Sequence, residues 1–381
     1  MLSSCCRRRR QEEGAPFPPV PEPVYKDGNP ERKSFLNKKK LRVIYYEWKA
    51  KRPSACVIAV HGITSHARLE WLTFPGTKYE GSWVEAFLQK NITFVGVDQQ
   101  GHGLSEGWKG ERCAMERVDD LVDDLEHVVA SVRASDTAPA PLPLFILGMS
   151  MGGCVTTLLL ERPQTVSKFS IGGAVLLAPM LSLDRVRAHP VNRMLEPLGF
   201  VLTTLFPNLP VSPALGPNEK YPWMDEVILG DPLRYQGKQR ARVCTELIRG
   251  TDQVQRDAHL VRSPLLLIHS KDDGPCEVGG TMKLFARLSN CKEKTLDILT
   301  GGEQHMIHAE PGHERVFEKV GNWISARALT AEPTQQQQQQ QKAHAGVKLS
   351  TAVEKANGSA DRLAPGTDFI DLGPEETGVG A

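Results

Sequence analysis

The chain has 381 residues, of which 40% are hydrophobic and 24% charged, so a sizeable core is expected over most of its length. Its formal net charge of +1 argues against a broad basic surface for nucleic acid, though not against a local basic patch, and no apolar run approaches the roughly 20 residues of a membrane-spanning helix. The eight cysteines form no CxxC pair, which argues against a zinc ribbon or a thioredoxin-like redox motif.

Residues 1–38 are basic and rich in proline, and we predict that they are disordered because they hold too little apolar surface to offset chain entropy. No apolar stretch follows the basic run, so no secretory signal is predicted and a cytoplasmic location with reduced thiols is expected. Cys5 and Cys6 directly precede Arg7 to Arg10. We hypothesise that these cysteines are acylated and that the acyl chains, together with the polybasic patch, hold the protein peripherally at membranes or lipid droplets.

Short apolar runs recur along the middle of the chain, and each ends at a glycine, a proline or a polar residue. Such runs are typical of strands buried on both faces of a parallel sheet. Between them, residues 118–132 place apolar side chains at spacings of three and four, which predicts a helix. The alternation predicts a doubly wound α/β sheet. Its predicted strands are Ala55–Val60, Ile92–Val97, Leu144–Leu147, Gly173–Ala178 and Leu265–Ile268, followed by a short strand Thr295–Leu299.

One stretch interrupts this alternation. Residues 183–256 show no clear strand and combine apolar with proline-rich sequence. We interpret them as a mostly helical cap inserted over the carboxyl ends of the strands, where open α/β sheets bind ligands. The cap divides the core into residues 39–182 and 257–328. Residues 329–381 include a run of glutamines and are predicted to form a disordered, solvated tail.

The pentapeptide Gly148-Met149-Ser150-Met151-Gly152 matches the pattern G-x-S-x-G. It follows an apolar strand and precedes a helical pattern, which is the context that a nucleophile elbow requires. A serine hydroxyl becomes a nucleophile only with a nearby base, and that base needs an orienting group. The N–H of Met151, at the start of a helix, is placed to stabilise a developing oxyanion. We therefore predict Ser150 as the nucleophile, the alternative being an inert serine in a glycine-rich turn.

The acid and the base are expected after the serine, in that order. Asp272 and Asp273 both follow the strand at 265–268, and the residues alone do not separate them. His305 and His308 compete in the same way for the role of the base. Both choices stay open at this point, because the strand end can present either aspartate as the acid and the loop can present either histidine as the base.

Other polar residues follow strands that precede the serine. The turn after the first predicted strand offers the N–H of Ile63 as a second oxyanion donor. Asp98 and His102 also follow a strand, but they come before the serine in the chain, and we interpret them as parts of a structural turn. His66 and Glu70 are interpreted as surface polar residues.

These motifs together resemble the monoacylglycerol lipase group of α/β-hydrolases, which is related to lysophospholipases, over about residues 40–328. The resemblance rests on His61-Gly62, the segment from Asp98 to Gly107, Gly148–Gly153, and the late Asp272 and His305. It implies the α/β-hydrolase fold: a mostly parallel sheet, helices on both faces and an inserted helical cap. The family's G-S-x-D motif corresponds to residues 269–272 and thereby favours Asp272. Its G-x-x-H loop favours His305.

The resemblance also implies an activity. A serine hydrolase of this group cleaves monoacylglycerols to fatty acid and glycerol through an acyl-enzyme intermediate, with Ile63 and Met151 as the oxyanion donors and with no metal or organic cofactor. Ile63 is bulkier than the family's usual residue, and His269 replaces a glycine. The alternatives are a lysophospholipase or another carboxylesterase with the same triad, and a non-catalytic ligand-binding protein on this fold.

Overall fold

The computed structural model describes residues 22–73, 77–136, 141–188, 203–212, 218 and 220–331. All of them belong to one compact unit, Met1–Ala331. The cysteines and arginines at positions 5–10 and the glutamine run lie outside the described residues, so the predictions made for them stay predictions.

An eight-stranded sheet forms the centre of the described structure. The strands are β1 Glu31–Leu36, β2 Arg42–Trp48, β3 Ala55–Val60, β4 Ile92–Asp98, β5 Leu144–Met149, β6 Ile171–Leu177, β9 Leu265–Ser270 and β10 Lys294–Leu299. Their order in the sheet is β1-β2-β4-β3-β5-β6-β9-β10, and only β2 runs antiparallel to its neighbours. The predicted mostly parallel sheet is confirmed.

Helices cover both faces of this sheet, because its central strands are apolar on both sides. In β3, for example, Val57 and Ile58 point to opposite faces and belong to two separate hydrophobic clusters. The described helices are α1 Ala67–Trp71, α2 Trp83–Gln89, α3 Val118–Ser135, α4 Met151–Leu160, α5 Pro163–Lys168, α6 Asp184–Ala188, α7 Pro222–Gly230, α8 Ala241–Asp257, α9 Val278–Arg287 and α10 His313–Ala331. The first cluster packs under α3, α4, α8 and α9, and the second under α1, α2 and α10.

The N-terminal segment departs from its prediction. Disorder was expected through residue 38, but residues 22–38 are placed, and β1 pairs with β2 from Glu31↔Glu47 to Leu36↔Arg42. β1 is an edge strand whose side chains are mostly exposed, so it lacks the apolar run by which the other strands were found. The antiparallel β2 was missed together with it.

The predicted cap also contains an element that was not expected. Pro210–Ser212 (β7) and Gln239–Arg240 (β8) form a small two-stranded sheet, which was too short to leave a sequence pattern. At the end of the predicted insertion, α8 packs with Val243, Leu247 and Val254 into the same hydrophobic cluster as α3 and α4. Residues 189–202 of the insertion lie outside the described part of the chain.

No helix among the described residues is long and apolar enough to cross a membrane.

Candidate active site

Ser150 occupies a sharp turn between β5 and α4. Its backbone has φ 53° and ψ −117°, a strained conformation for a residue with a side chain, and its N–H donates to the carbonyl of Leu177 at 3.0 Å. The helix that follows packs tightly on β3: a methyl group on Gly152 would lie 2.1 Å from the carbonyl oxygen of Val60. Only glycine fits there, so the G-x-S-x-G spacing is a steric requirement of this elbow.

The turn after β3 lies directly against the serine. A methyl group on Gly62 would be 3.2 Å from the Cβ of Ser150 and 3.6 Å from its Oγ. The N–H groups of Ile63 and Met151 donate to no turn, loop or cap acceptor among the described residues. Met151 is also the first residue of α4, so its N–H has no acceptor within the helix. Both predicted donors thus remain free to bind a carbonyl oxygen.

His61 fixes the shape of this turn. Its Nε2 accepts the N–H of Gln99 at 3.0 Å, which leaves Nδ1 protonated and 2.6 Å from the carbonyl oxygen of Gly62. Burial lowers the pKa of His61 well below its ordinary value, so the ring stays neutral. The imidazole therefore acts as a fixed structural bridge between the turn and the end of β4.

His305 pairs with Asp273, which corrects the prediction of Asp272. The Nδ1 of His305 lies 2.7 Å from Oδ2 of Asp273, and Asp273 also accepts the N–H of Cys276 at 2.7 Å and lies 3.2 Å from Nε2 of His269. Asp272 is exposed. The cause is the turn after β9, where Ser270 Oγ accepts the N–H of Asp272 at 3.0 Å and Asp273 becomes the buried member of the pair.

The electrostatics of the pair favour its ionised form. Burial alone would lower the pKa of His305, but the charge and hydrogen bond of Asp273 outweigh it and raise that pKa above its ordinary value. Burial alone would raise the pKa of Asp273, and His305 together with its other donors lowers it instead. A base held in this way has Nδ1 committed to Asp273 and Nε2 left for a substrate proton.

Cys276 lies between the serine and the histidine. Its Sγ is 3.8 Å from Ser150 Oγ, and Asp273, Cys276 and His305 have ligand-type atoms within 4.8 Å of one another. No hydrogen bond joins Ser150 to His305 among the described residues. A thiol, an imidazole and a carboxylate together can coordinate a thiophilic cation. Here, however, the imidazole and carboxylate already satisfy each other, and burial raises the pKa of Cys276 well above its ordinary value.

Two residues that were interpreted as surface polar groups are buried beside the site. His66, the N-cap of α1, accepts the N–H of Leu69 on Nδ1 at 3.4 Å and lies 3.1 Å from Asp231 in the cap through Nε2. Glu70 is 5% exposed and faces the Gly62 turn, and burial raises its pKa. Both lie shortly after the Gly62 turn in the chain, and that proximity was the one available signal of their burial.

His308 is the other histidine of the loop, and its role is different. It packs against the rings of Trp71 and Trp83 and lies 3.3 Å from Glu70, and burial lowers its pKa to about 3. The structure thus brings His305, and not His308, to Asp273.

The turn at Asp98 is structural, as predicted. Asp98 accepts the N–H groups of Ala67 at 2.9 Å and Leu104 at 3.0 Å and the hydroxyl of Tyr46 at 3.2 Å. His102 Nδ1 lies 3.0 Å from the carbonyl oxygen of Gln100, and burial lowers its pKa to about 4. All these contacts are internal to the fold.

Comparisons with known proteins agree with this geometry. The family model described as Hydrolase_4: Serine aminopeptidase, S33 matches residues 51–312. The chain is 28% identical to caffeoylshikimate esterase of Arabidopsis thaliana over 64% of its length and 71% of that protein. It is 25% identical to monoglyceride lipase of Homo sapiens over 85% of its length and 96% of that protein.

Solved structures support the same fold. The monoacylglycerol lipase of Paleococcus ferrophilus superposes with a TM-score of 0.60 at 20% identity, covering 75% of this chain and 99% of that one. A soluble variant of monoglyceride lipase from Saccharomyces cerevisiae gives a TM-score of 0.61 at 18% identity, covering 82% and 98%. The chain therefore belongs to the Hydrolase_4 family of α/β-hydrolases and is a carboxylic ester hydrolase of the monoacylglycerol lipase-like group.

Proposed function

We propose that the protein hydrolyses the ester bond of monoacylglycerols to fatty acid and glycerol through an acyl-enzyme on Ser150. The observation that carries the proposal is the arrangement around this serine. The Gly62 turn lies against its Oγ on one side, and the buried His305–Asp273 pair, 2.7 Å apart, is reached through Cys276 on the other. A carboxylic ester hydrolase needs these groups within reach of one carbonyl carbon.

The reaction follows from these positions. Rotation of the Ser150 side chain takes Oγ from Cys276 towards His305, a movement of the kind that substrate binding completes in many hydrolases. Oγ attacks the ester carbonyl and passes its proton to Nε2 of His305, while Asp273 holds the imidazole by Nδ1 and stabilises its cation. The N–H groups of Ile63 and Met151 receive the oxyanion. The ester C–O bond breaks, and His305 returns the proton to the departing glycerol oxygen.

Water completes the cycle. His305 takes a proton from a water molecule, whose oxygen attacks the acyl carbonyl, and the fatty acid leaves as Ser150 recovers its proton. Each step uses only the chain's own residues and water.

The choice of a lipid substrate rests on two supports. Relatives over most of the chain are named monoglyceride lipase, monoacylglycerol lipase and phospholipase. In addition, the described part of the cap exposes large apolar side chains that a lipid surface or an acyl chain would cover. These side chains, with their exposed fractions, are Leu205 at 65%, Phe206 at 60%, Val211 at 50%, Leu229 at 54% and Trp223 at 40%.

Labelling by a fluorophosphonate probe tests the nucleophile. We expect the wild type to be labelled at Ser150 and the Ser150→Ala variant to be unlabelled and inactive, because the loss of a triad nucleophile lowers kcat by several orders of magnitude. Cys276→Ala is the matched control, since it changes the side chain beside Ser150 and should keep the label. A wild type without label would return the chain to the non-catalytic alternative.

A substrate panel tests the specificity. Monoacylglycerol, lysophosphatidylcholine and caffeoyl shikimate represent the three activities named among the relatives or implied by the family resemblance. We expect the highest kcat/KM for monoacylglycerol. A higher value for lysophosphatidylcholine or for caffeoyl shikimate would identify a different substrate and leave the proposed chemistry in place.

We also propose that Cys5 and Cys6, when acylated, hold the enzyme at membranes together with Arg7 to Arg10. One acyl chain binds only marginally, whereas a chain with a polybasic patch binds stably, and each arginine adds about 1 kcal/mol near an anionic leaflet. Membrane fractionation of wild type and the Cys5→Ser, Cys6→Ser variant tests it. Equal soluble fractions at low and high salt would contradict the anchor.

A further inference from the structure

Glu310 is a buried carboxylate for which the proposed reaction has no step. It is 1% exposed and lies between the loop that carries His305, residues 300–309, and the start of α10. Its Oε2 accepts the N–H of Gln304 at 2.6 Å, and its Oε1 accepts the N–H of Met306 at 2.9 Å. The two donors are the residues immediately before and after His305.

This arrangement fixes the histidine from both sides. Each carboxylate oxygen holds one peptide group, so the two N–H groups that flank His305 cannot rotate independently. The loop is tied a second time where the N–H groups of Ala309 and Glu310 donate to the carbonyl of Met306 at 2.8 and 2.9 Å. A carboxylate that accepts on both oxygens is favoured in its ionised form.

Among the described residues, several charged and titratable groups surround His305. Asp273 contacts it, Glu70 and Glu310 act on it through space, and His308 and Cys276 are its other titratable neighbours. Lys220, whose ammonium donates to the carbonyl of Gly302, acts on Glu310 from the cap. Burial lowers the pKa of His305, and the three carboxylates raise it, Asp273 most strongly.

We propose that Glu310 is a positioning residue of this hydrolase, whose two oxygens hold the peptides on either side of His305 and whose charge strengthens that imidazole as a base. The proposal rests on the function proposed above, in which His305 takes the Ser150 proton. Burial raises the pKa of Glu310, and the two peptide donors and His305 oppose that rise.

Kinetics of Glu310→Gln against pH test the proposal. Glutamine has one carbonyl oxygen and can accept only one of the two N–H groups, and it carries no charge. We expect kcat to fall about 10- to 100-fold, as small misplacements of a catalytic group do, with KM changed less than about twofold. The acid limb of kcat/KM should move to lower pH, because His305 loses a neighbouring negative charge.

Two further variants separate position from charge. Glu310→Asp keeps the charge and shortens the reach, so kcat should fall while the acid limb stays closer to that of wild type. Glu303→Gln is the matched control: its carboxylate lies in the same loop but accepts the N–H of Gly301 at 2.9 Å, and neither kcat nor the limb should change. If Glu310→Gln does not fold, the Glu310→Asp variant still tests positioning through kcat.

The outcomes are distinct. An unchanged kcat in Glu310→Asp, or an acid limb in Glu310→Gln that stays with wild type, would overturn the proposal, as would an equal shift in Glu303→Gln. Fluorophosphonate labelling of wild-type enzyme is measured alongside. Absence of that label contradicts the proposed function itself, whereas normal labelling with unaltered Glu310 variants contradicts only the role of Glu310.

Discussion

Asp272 and Asp273 are chemically identical neighbours in opposite surroundings. Asp273 is buried and accepts from Cys276 while it contacts His305 and His269, whereas Asp272 is exposed. A family motif read along the chain favours the first of the two. In the structure, the N–H of Asp272 donates to Ser270 Oγ in the turn after β9, and Asp273 is the aspartate that reaches His305.

We expect Asp273→Asn to lower kcat by about 10²- to 10⁴-fold and Asp272→Asn to change it less than twofold. An asparagine at 273 can present an N–H to Nδ1 of His305 and so favour the wrong tautomer, and it cannot stabilise the imidazolium. Steady-state kinetics on the two purified variants measure the difference. A larger loss in the Asp272 variant would restore the assignment based on the motif.

Of the two histidines in the loop, His305 should support activity and His308 should support stability. His305→Ala is expected to lower kcat by more than about 10³-fold. His308→Ala removes a ring packed between Trp71 and Trp83 and leaves Glu70 without its neighbour, so we expect a loss of about 2–4 kcal/mol in the free energy of unfolding.

Urea unfolding and kinetics at a temperature well below the unfolding transition separate these effects. The folded His308 variant should retain at least about a tenth of wild-type kcat. A stable His308 variant with a kcat as low as that of the His305 variant would contradict the division of roles.

At the scale of single elements, the sequence predicts the strands and helices whose apolar side chains follow a regular pattern. The parallel strands other than the edge strand β10 are apolar on both faces, and α3 repeats apolar side chains at helical spacing, so their positions were found to within a few residues. The edge strand β1 and the two-residue strand β8 show no such periodicity. β1 pairs with β2 across a short loop, but its side chains are mostly exposed, whereas β8 is too short to show a period and pairs with the more distant β7. The burial of His66 and Glu70 was missed because it depends on contacts with residues distant in the chain, Asp231 and His308.

Asp124 is a buried carboxylate on the apolar face of α3, and it should make the free energy of unfolding depend on pH. It is buried beside Asn37, whose amide donates to it at 3.2 Å, and burial raises its pKa from 3.8 to about 7. The carboxyl of Asp124 therefore holds its proton to higher pH in the folded protein than in the unfolded chain. The resulting stabilisation of the folded state is fully present below about pH 4 and is lost as pH rises through 7.

Asp124→Asn should consequently be more stable than wild type at pH 8, by more than the roughly 1.4 kcal/mol of one pKa unit, and the gain should shrink as pH falls towards 4. Asp123→Asn is the control on the same helix. Its pKa is lowered because Lys38 and Arg162 outweigh burial, so this variant should lose a little stability at pH 8 and converge on wild type in acid. Denaturant unfolding at several pH values measures both. A pH-independent difference for Asp124→Asn would contradict the predicted ionisation.

At the scale of the whole molecule, residues 22–30 join the core to the cap. Arg68 in α1 is 4% exposed, and its guanidinium lies 2.9 Å from Glu22 and 3.5 Å from Asp27 and stacks on the ring of Tyr25 at 4.2 Å. The hydroxyl of Tyr25 donates to Asp231 in the cap at 2.7 Å. Asp231 in turn contacts His66, which lies shortly after the Gly62 turn in the chain.

Two truncations measure what this segment contributes. Both lack residues 1–21, and only the second also lacks residues 22–30, so their difference reports on the second segment alone. Its removal takes Glu22, Asp27 and the Tyr25 ring away from Arg68. Because Glu22 is 36% exposed and the truncation lets water reach the guanidinium, we expect the free energy of unfolding to fall by only about 1–3 kcal/mol between the two truncations. We expect kcat to fall as well, since Asp231 loses the Tyr25 hydroxyl that helps to hold it against His66. Tyr25→Phe in the full chain isolates that last contact and should lower kcat less than the longer truncation does. Equal stability and equal kcat in the two truncations would mean that the segment lies on the surface without supporting the site.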